Sequence, residues 1–124
     1  MKEAGGGKII NISSGASTIA FQGNPAYGAS KAALDHLTRT MAILLAYDKV
    51  TVNSLLPGAF RTPTFNYNET AEKAWTAMTP ARRIGQIDEL AGVAVFLASS
   101  ASDFMTGQVF AFDGGLTIPA LGQK

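Results

Sequence analysis

The chain has 124 residues, 47% of them hydrophobic and 15% charged, a balance that implies one globular domain with a buried core and excludes a disordered chain. A formal net charge of +1 gives no basic or acidic excess to draw nucleic acid, a membrane surface or an acidic partner. Cysteine is absent, which excludes a disulfide framework and thiolate chemistry and fits a reducing compartment.

The opening residues, MKEAGGGKIINIS, hold no long apolar run of the signal-peptide kind. The longest apolar runs, MAILLAY and VAVFLA, are far too short to span a bilayer, so a soluble, cytoplasmic domain is expected. GGGK at 5–8 evokes a phosphate loop, but such a loop follows a strand and opens a helix, whereas this one precedes a strand. It reads as a turn in which Gly5 caps the last turn of a helix formed by MKEA.

KIINIS (8–13) is short and isoleucine-rich, as a buried strand is. After a loop through Gly23, Asn24 is a good N-cap and Pro25 a good first helical residue. The helix is expected over about 26–46, with Leu34, Leu37, Met41, Leu44 and Leu45 at helical spacing. Small residues at Ala29, Ala32 and Ala33 allow a neighbour to come close. TVNSLL (51–56) is a second strand, stopped by Pro57 and Gly58. A short helix follows around Glu69–Met78, then a clear one in QIDELAGVAVFLAS, with Asp88 and Glu89 in its first turn and Leu90, Val93, Ala94 and Leu97 as its stripe. QVFAF (108–112) is a last strand, ended by DGG. Strands alternating with helices predict an α/β fold of about three parallel strands joined by crossover helices. Ligands of such open sheets bind beyond the carboxyl ends of the strands, here at 14–24, 57–64 and 113–117.

In NPAYGASKAALDHL, Tyr27 stands four residues before Lys31, one helical turn away on the same face. A nearby ammonium favours a phenolate, so the pair has the makings of an acid–base centre. Taken alone it is an ordinary consequence of helix geometry. Ser14, at the carboxyl end of the first strand, has a hydroxyl suited to a substrate oxygen; Ser13 and Ser17 are rivals, and a loop-capping serine is the plain alternative. In NSLLPGAFRTP, Gly58 lets a backbone approach a ligand, Thr62 offers a hydroxyl, and Asn53 reads as a brace for neighbouring backbone. His36 is the one histidine and lies mid-helix, so neither catalysis by it nor a metal cluster is expected. Arg82 and Arg83 read as solvated surface residues, and Trp75 lines a pocket or fills the core.

In order, GGKIINISS, YGASKAAL, NSLLPGAFRT and RRIG…DELAGVAVFLAS…FMTGQVFAFDGG resemble the C-terminal half of a short-chain dehydrogenase/reductase across nearly the whole chain. The resemblance implies the C-terminal half of a doubly wound Rossmann-type sheet, with residues 1–124 as a single partial domain lacking the N-terminal Gly-rich cofactor-binding half. It implies hydride transfer between NAD or NADP and a small-molecule carbonyl or alcohol. Tyr27 would be the acid for reduction and the base for oxidation. Lys31 would act on Tyr27 and hydrogen-bond the nicotinamide ribose, and Ser14 would polarise the substrate oxygen. Pro57, Gly58 and Thr62 would flank the nicotinamide, the backbone at Phe60 would meet its carboxamide, and residues 64–80 would form a variable substrate loop, with Phe65, Tyr67 and Trp75 shaping the pocket. Enoyl reductases of the superfamily usually space tyrosine and lysine more widely, so a ketone or alcohol is favoured. Ile87 stands where the family often has proline. Many relatives are dimers or tetramers built on the long helix, so a homo-oligomer is expected. The alternative is an inactive truncated chain that associates with itself or with an intact relative, since no G-x-G-x-x-G is present.

Overall fold

A computed structural model describes residues 1–20, 24–63 and 68–118. Strands β1 (Gly7–Ile12), β2 (Val50–Pro57) and β5 (Val109–Phe112) form one parallel sheet in the order β1-β2-β5. Each strand is within a residue of its expected bounds. Helix α1 (Pro25–Leu45) joins β1 to β2, and α2 (Glu69–Met78) and α3 (Ile87–Ala98) lie between β2 and β5. The expected fold class is therefore found. Two strands of two residues each, β3 (Phe60–Arg61) and β4 (Gly85–Gln86), form a separate parallel pair that escaped the sequence reading.

β2 is central and reads as a continuous apolar run because both its faces are covered. Val52, Leu55 and Leu56 are buried, each contributing about 1.5–3 kcal/mol by leaving water. α1 lays Leu34, Asp35, Thr38, Met41, Ala42 and Leu45 toward the sheet, and Ala42 packs with Val50 and Val52. The expected stripe needs one correction. Leu37 is 48% exposed and Leu44 68%, so they belong to the opposite face of the helix. Their places on the inner face are taken by Asp35 and Thr38, which are buried and hydrogen-bonded. Ser54 Oγ donates to Asp35 Oδ1 at 2.9 Å, and Asn11 Nδ2 donates to Thr38 Oγ1 at 2.9 Å, pinning α1 to both neighbouring strands.

Asn53 is 1% exposed and braces backbone as expected. Its Nδ2 donates to the Met105 carbonyl at 2.7 Å and its Oδ1 accepts the Gln108 N–H at 3.1 Å, fixing where β5 begins. Residues 1–6 have helix C-cap geometry. Gly6 N–H bonds the Met1 carbonyl and Gly5 N–H the Lys2 carbonyl, both at 3.1 Å, with Gly5 at φ +80°. α3 begins with a reciprocal box. Gln86 is its N-cap, and Glu89 Oε2 accepts the Gln86 N–H at 2.8 Å. No helix among the described residues is long and apolar enough to cross a membrane.

Candidate active site

β1 and β2 end side by side, with Ile12 opposite Leu55, and β2 runs on to Pro57 beside Phe112. A cavity of about 950 Å³ opens at these carboxyl ends. Ser14, Tyr27, Pro57, Gly58, Phe60 and Thr62 all line it, so six of the seven expected site residues share one cavity. The seventh, Lys31, does not line the cavity.

Each polar residue is set by local structure. Ser14 caps the single turn Gly15–Ser17, its Oγ accepting the Ala16 N–H at 3.3 Å. That bond uses a lone pair and leaves the hydroxyl proton available to donate. Asn24 caps α1, its Oδ1 accepting the Tyr27 N–H at 3.1 Å, so Tyr27 is held in the first helical turn while its side chain stays 46% exposed. One turn on, Lys31 Nζ lies 5.7 Å from the centre of the Tyr27 ring and donates to the Ile12 carbonyl at 2.8 Å. Lys31 thus meets the site through Tyr27 and the end of β1. Of the rival serines, Ser13 is 3% exposed and donates to the Lys31 carbonyl at 3.4 Å, outside the cavity wall. Ser17 does line the cavity, with its Oγ 3.4 Å from Thr18 Oγ1.

Two glycines set the spacing of the wall. A Cβ on Gly28 would stand 2.9 Å from the Ala16 carbonyl oxygen, so its absence brings α1 close to the Ser14 turn. The sequence reading passed over Gly28, although a small residue directly after Tyr27 was a visible signal. A Cβ on Gly58 would stand 2.6 Å from Asp113 Cα, so what Gly58 admits is the backbone leaving β5. That backbone is itself fixed. Asp113 accepts from the Gly115 N–H and Thr117 N–H, both at 2.8 Å, and from Thr117 Oγ1 at 2.6 Å. Burial pushes the Asp113 carboxyl up, but these donors outweigh it and hold it below the usual carboxylate range.

Phe60 is buried and stacks on Phe112, ring centres 6.1 Å apart. Trp75 of α2 and Ile87 and Leu90 of α3 also line the cavity. Trp75 is therefore a wall residue. Arg83 is on the surface as expected, but it is paired, its guanidinium gripping both oxygens of Glu89 at 2.7 and 2.6 Å. His36 is exposed on α1. Phe65 and Tyr67, expected to shape the pocket, lie outside the described residues.

Comparison with known proteins agrees with this geometry. A family model described as enoyl-(acyl carrier protein) reductase matches residues 1–117. An uncharacterized oxidoreductase of Mycobacterium tuberculosis is 41% identical over 98% of this chain and 47% of its own length. The 5-keto-D-gluconate 5-reductase of Escherichia coli K12 is 41% identical over 95% of this chain and 48% of its own. Among solved structures, a gluconate 5-dehydrogenase of Burkholderia cenocepacia in complex with NADP and tartrate superposes with a TM-score of 0.90, at 41% identity, over 96% of this chain and 48% of that one. The chain belongs to the short-chain dehydrogenase/reductase family of oxidoreductases. It spans about half the length of the curated relatives it matches.

Proposed function

We propose that the protein transfers a hydride between NAD or NADP and a small carbonyl or alcohol substrate, with Tyr27 as acid and base. The observation that carries this reading is the shared cavity in which Ser14, Tyr27 and residues 57–62 meet at the ends of β1 and β2. The NADP in the Burkholderia relative supports the cofactor class.

The residues present fit the nicotinamide end of such a cofactor. Pro57, Gly58, Phe60 and Thr62 line the cavity together and would flank that end. When bound, the nicotinamide supplies or takes up the hydride. In reduction, Tyr27 gives its hydroxyl proton to the substrate oxygen as charge develops there; in oxidation it takes a proton back. Ser14 donates its hydroxyl proton as a hydrogen bond to the same oxygen. The Lys31 ammonium, held by the Ile12 carbonyl beside the ring, stabilises the negative charge left on Tyr27. The same reading includes self-association through the outer face of α1, supported by the exposure of Leu37, Ile43 and Leu44.

Carbonyl-dependent oxidation of NADH and NADPH tests the proposal. Tyr27→Phe is expected to lower turnover by about 100-fold or more with an unchanged circular dichroism spectrum, since the phenol is half exposed. Near-normal turnover by that variant would remove Tyr27 from the mechanism. Failure of a folded sample to bind either nucleotide would favour the inactive chain instead. The description of the matching family gives a second reading, reduction of a carbon–carbon double bond in an enoyl thioester. Four-residue spacing of Tyr27 and Lys31 favours the carbonyl, and a crotonyl thioester assayed beside a ketone separates the two.

A further inference from the structure

We infer that Asp113 is a positioning residue of this site, folding residues 113–117 into one turn that sets where Ser14 and Trp75 stand. The inference rests on the hydride-transfer reading for its effect on turnover, and on packing for the rest. The Asp113 carboxylate closes the turn by accepting the N–H groups of Gly115 and Thr117 and the Thr117 hydroxyl. Leu116 N–H and Ile118 N–H continue it, donating to the Asp113 and Gly115 carbonyls at 3.2 and 3.1 Å. A stretch with glycine at 114 and 115 gives up much backbone freedom on folding, and the bonds to a charged acceptor offset that cost.

Three segments that line the cavity lean on this turn. The first is the turn that Ser14 caps. A Cβ on the buried Gly15 would stand 3.4 Å from Thr117 Cγ2 and 3.9 Å from Leu116 Cδ2, so these two side chains pack over the residue that follows Ser14. The second is the end of β2, where the Gly58 N–H donates to the Phe112 carbonyl at 3.2 Å and Gly58 lies against Asp113. The third is the end of α2. Ala81 N–H donates to the Gly114 carbonyl at 3.0 Å, and a Cβ on Gly114 would stand 2.8 Å from Thr79 Cγ2. Thr79 is buried, and its N–H and Oγ1 donate to the Trp75 carbonyl at 3.0 and 2.9 Å. Close packing transmits displacement because it leaves no slack. Asp113 thus acts on the cavity through Thr117 toward Ser14 and through Thr79 toward Trp75.

The chain has one tryptophan and three tyrosines, so fluorine labels read the two directions separately. The experiment records fluorine NMR spectra of the intact protein carrying 5-fluorotryptophan, and separately 3-fluorotyrosine, the Tyr27 signal being assigned by its loss in Tyr27→Phe. Tyr27 senses the Ser14 turn because Gly28, next to it, packs on the Ala16 carbonyl. Asp113→Asn keeps one acceptor oxygen and puts an amide NH2 where the other was. It is expected to shift both the Trp75 and the Tyr27 signals at unchanged circular dichroism. Asn53→Ala, which weakens the fold where β5 begins, is expected to shift neither. If Asp113→Asn does not fold, Thr117→Val makes the same test, since it removes the hydroxyl bond and keeps the Thr117 N–H bond and a methyl group at Gly15. Signals that stay in place, that move equally in Asn53→Ala, or of which only one moves, overturn the inference. In carbonyl-dependent oxidation of NADH or NADPH, the variant is expected to lower kcat about tenfold with KM within about threefold, as misplaced reacting groups do. An unchanged kcat, or a rise in KM alone, also overturns it. Failure of the reaction reading is separable. Shifted signals in a protein that oxidises neither nucleotide drop hydride transfer and keep the Asp113 turn. Unshifted signals in a protein that turns over drop the turn and keep hydride transfer.

Discussion

Asn24 and Asn53 do different work with the same side chain. Asn24 meets solvent and fixes one N–H, that of Tyr27, at the start of α1. Asn53 is enclosed and satisfies both the Met105 carbonyl and the Gln108 N–H. Its loss should therefore be felt more. Asn53→Ala leaves the Met105 carbonyl and the Gln108 N–H unpaired and is expected to lower unfolding free energy by about 2–4 kcal/mol, measured by urea denaturation. A change of a few tenths would mean that water enters beside β5. The role of Asn53 was legible because asparagine inside an apolar strand needs partners. Asp35 was not legible. In ALDHL it looks like a solvated helix residue, and only the tertiary meeting with Ser54, 19 residues away, explains its burial.

At the scale of elements, α3 has the most electrostatic definition. Arg83 and the Gln86 N–H both donate to Glu89, in that order of effect, and its carboxyl is held down from an ordinary 4.5 to about 2. The Arg83 guanidinium is held on its proton by the same pair. A folded-state value below the unfolded one gives stability that is complete above the ordinary value and is lost as pH falls from 4.5 toward 2. Asp113 acts in the same direction. Thermal midpoints measured from pH 6 to pH 3 should therefore fall, and Glu89→Gln should start lower at pH 6 and fall less. Parallel curves for the two proteins would contradict this. Long elements were readable from periodicity and caps, since Asn24-Pro25 marks a helix start and Pro57-Gly58 a strand end. β3 and β4 were not, because two residues cannot display a period of two. The α1 stripe was half readable: its apolar residues occupy two faces, and spacing alone does not say which one meets the sheet.

At the scale of the whole molecule, those two faces of α1 give the chain an inner and an outer surface. The outer one carries Leu37, Ile43 and Leu44, with Tyr47 of the following turn 99% exposed. Sedimentation of the protein is expected to show a mass above that of one chain. Replacing Leu37 and Leu44 together by Lys should lower it, with little loss of fold stability because neither side chain is in the core. A mass that both forms share would place any association elsewhere. β3 and β4 have a different consequence at this scale. Phe60 and Arg61 leave the region of the sheet beside Gly85 and Gln86, so the two ends of the intervening excursion are neighbours. Among the described residues between them, none enters the register of β1, β2 or β5. The excursion is therefore a cassette. Residues 63–84 of a relative with another preference could be spliced between Thr62 and Gly85, exchanging the residue in Trp75's place while Ser14, Tyr27, Lys31 and Thr62 are kept.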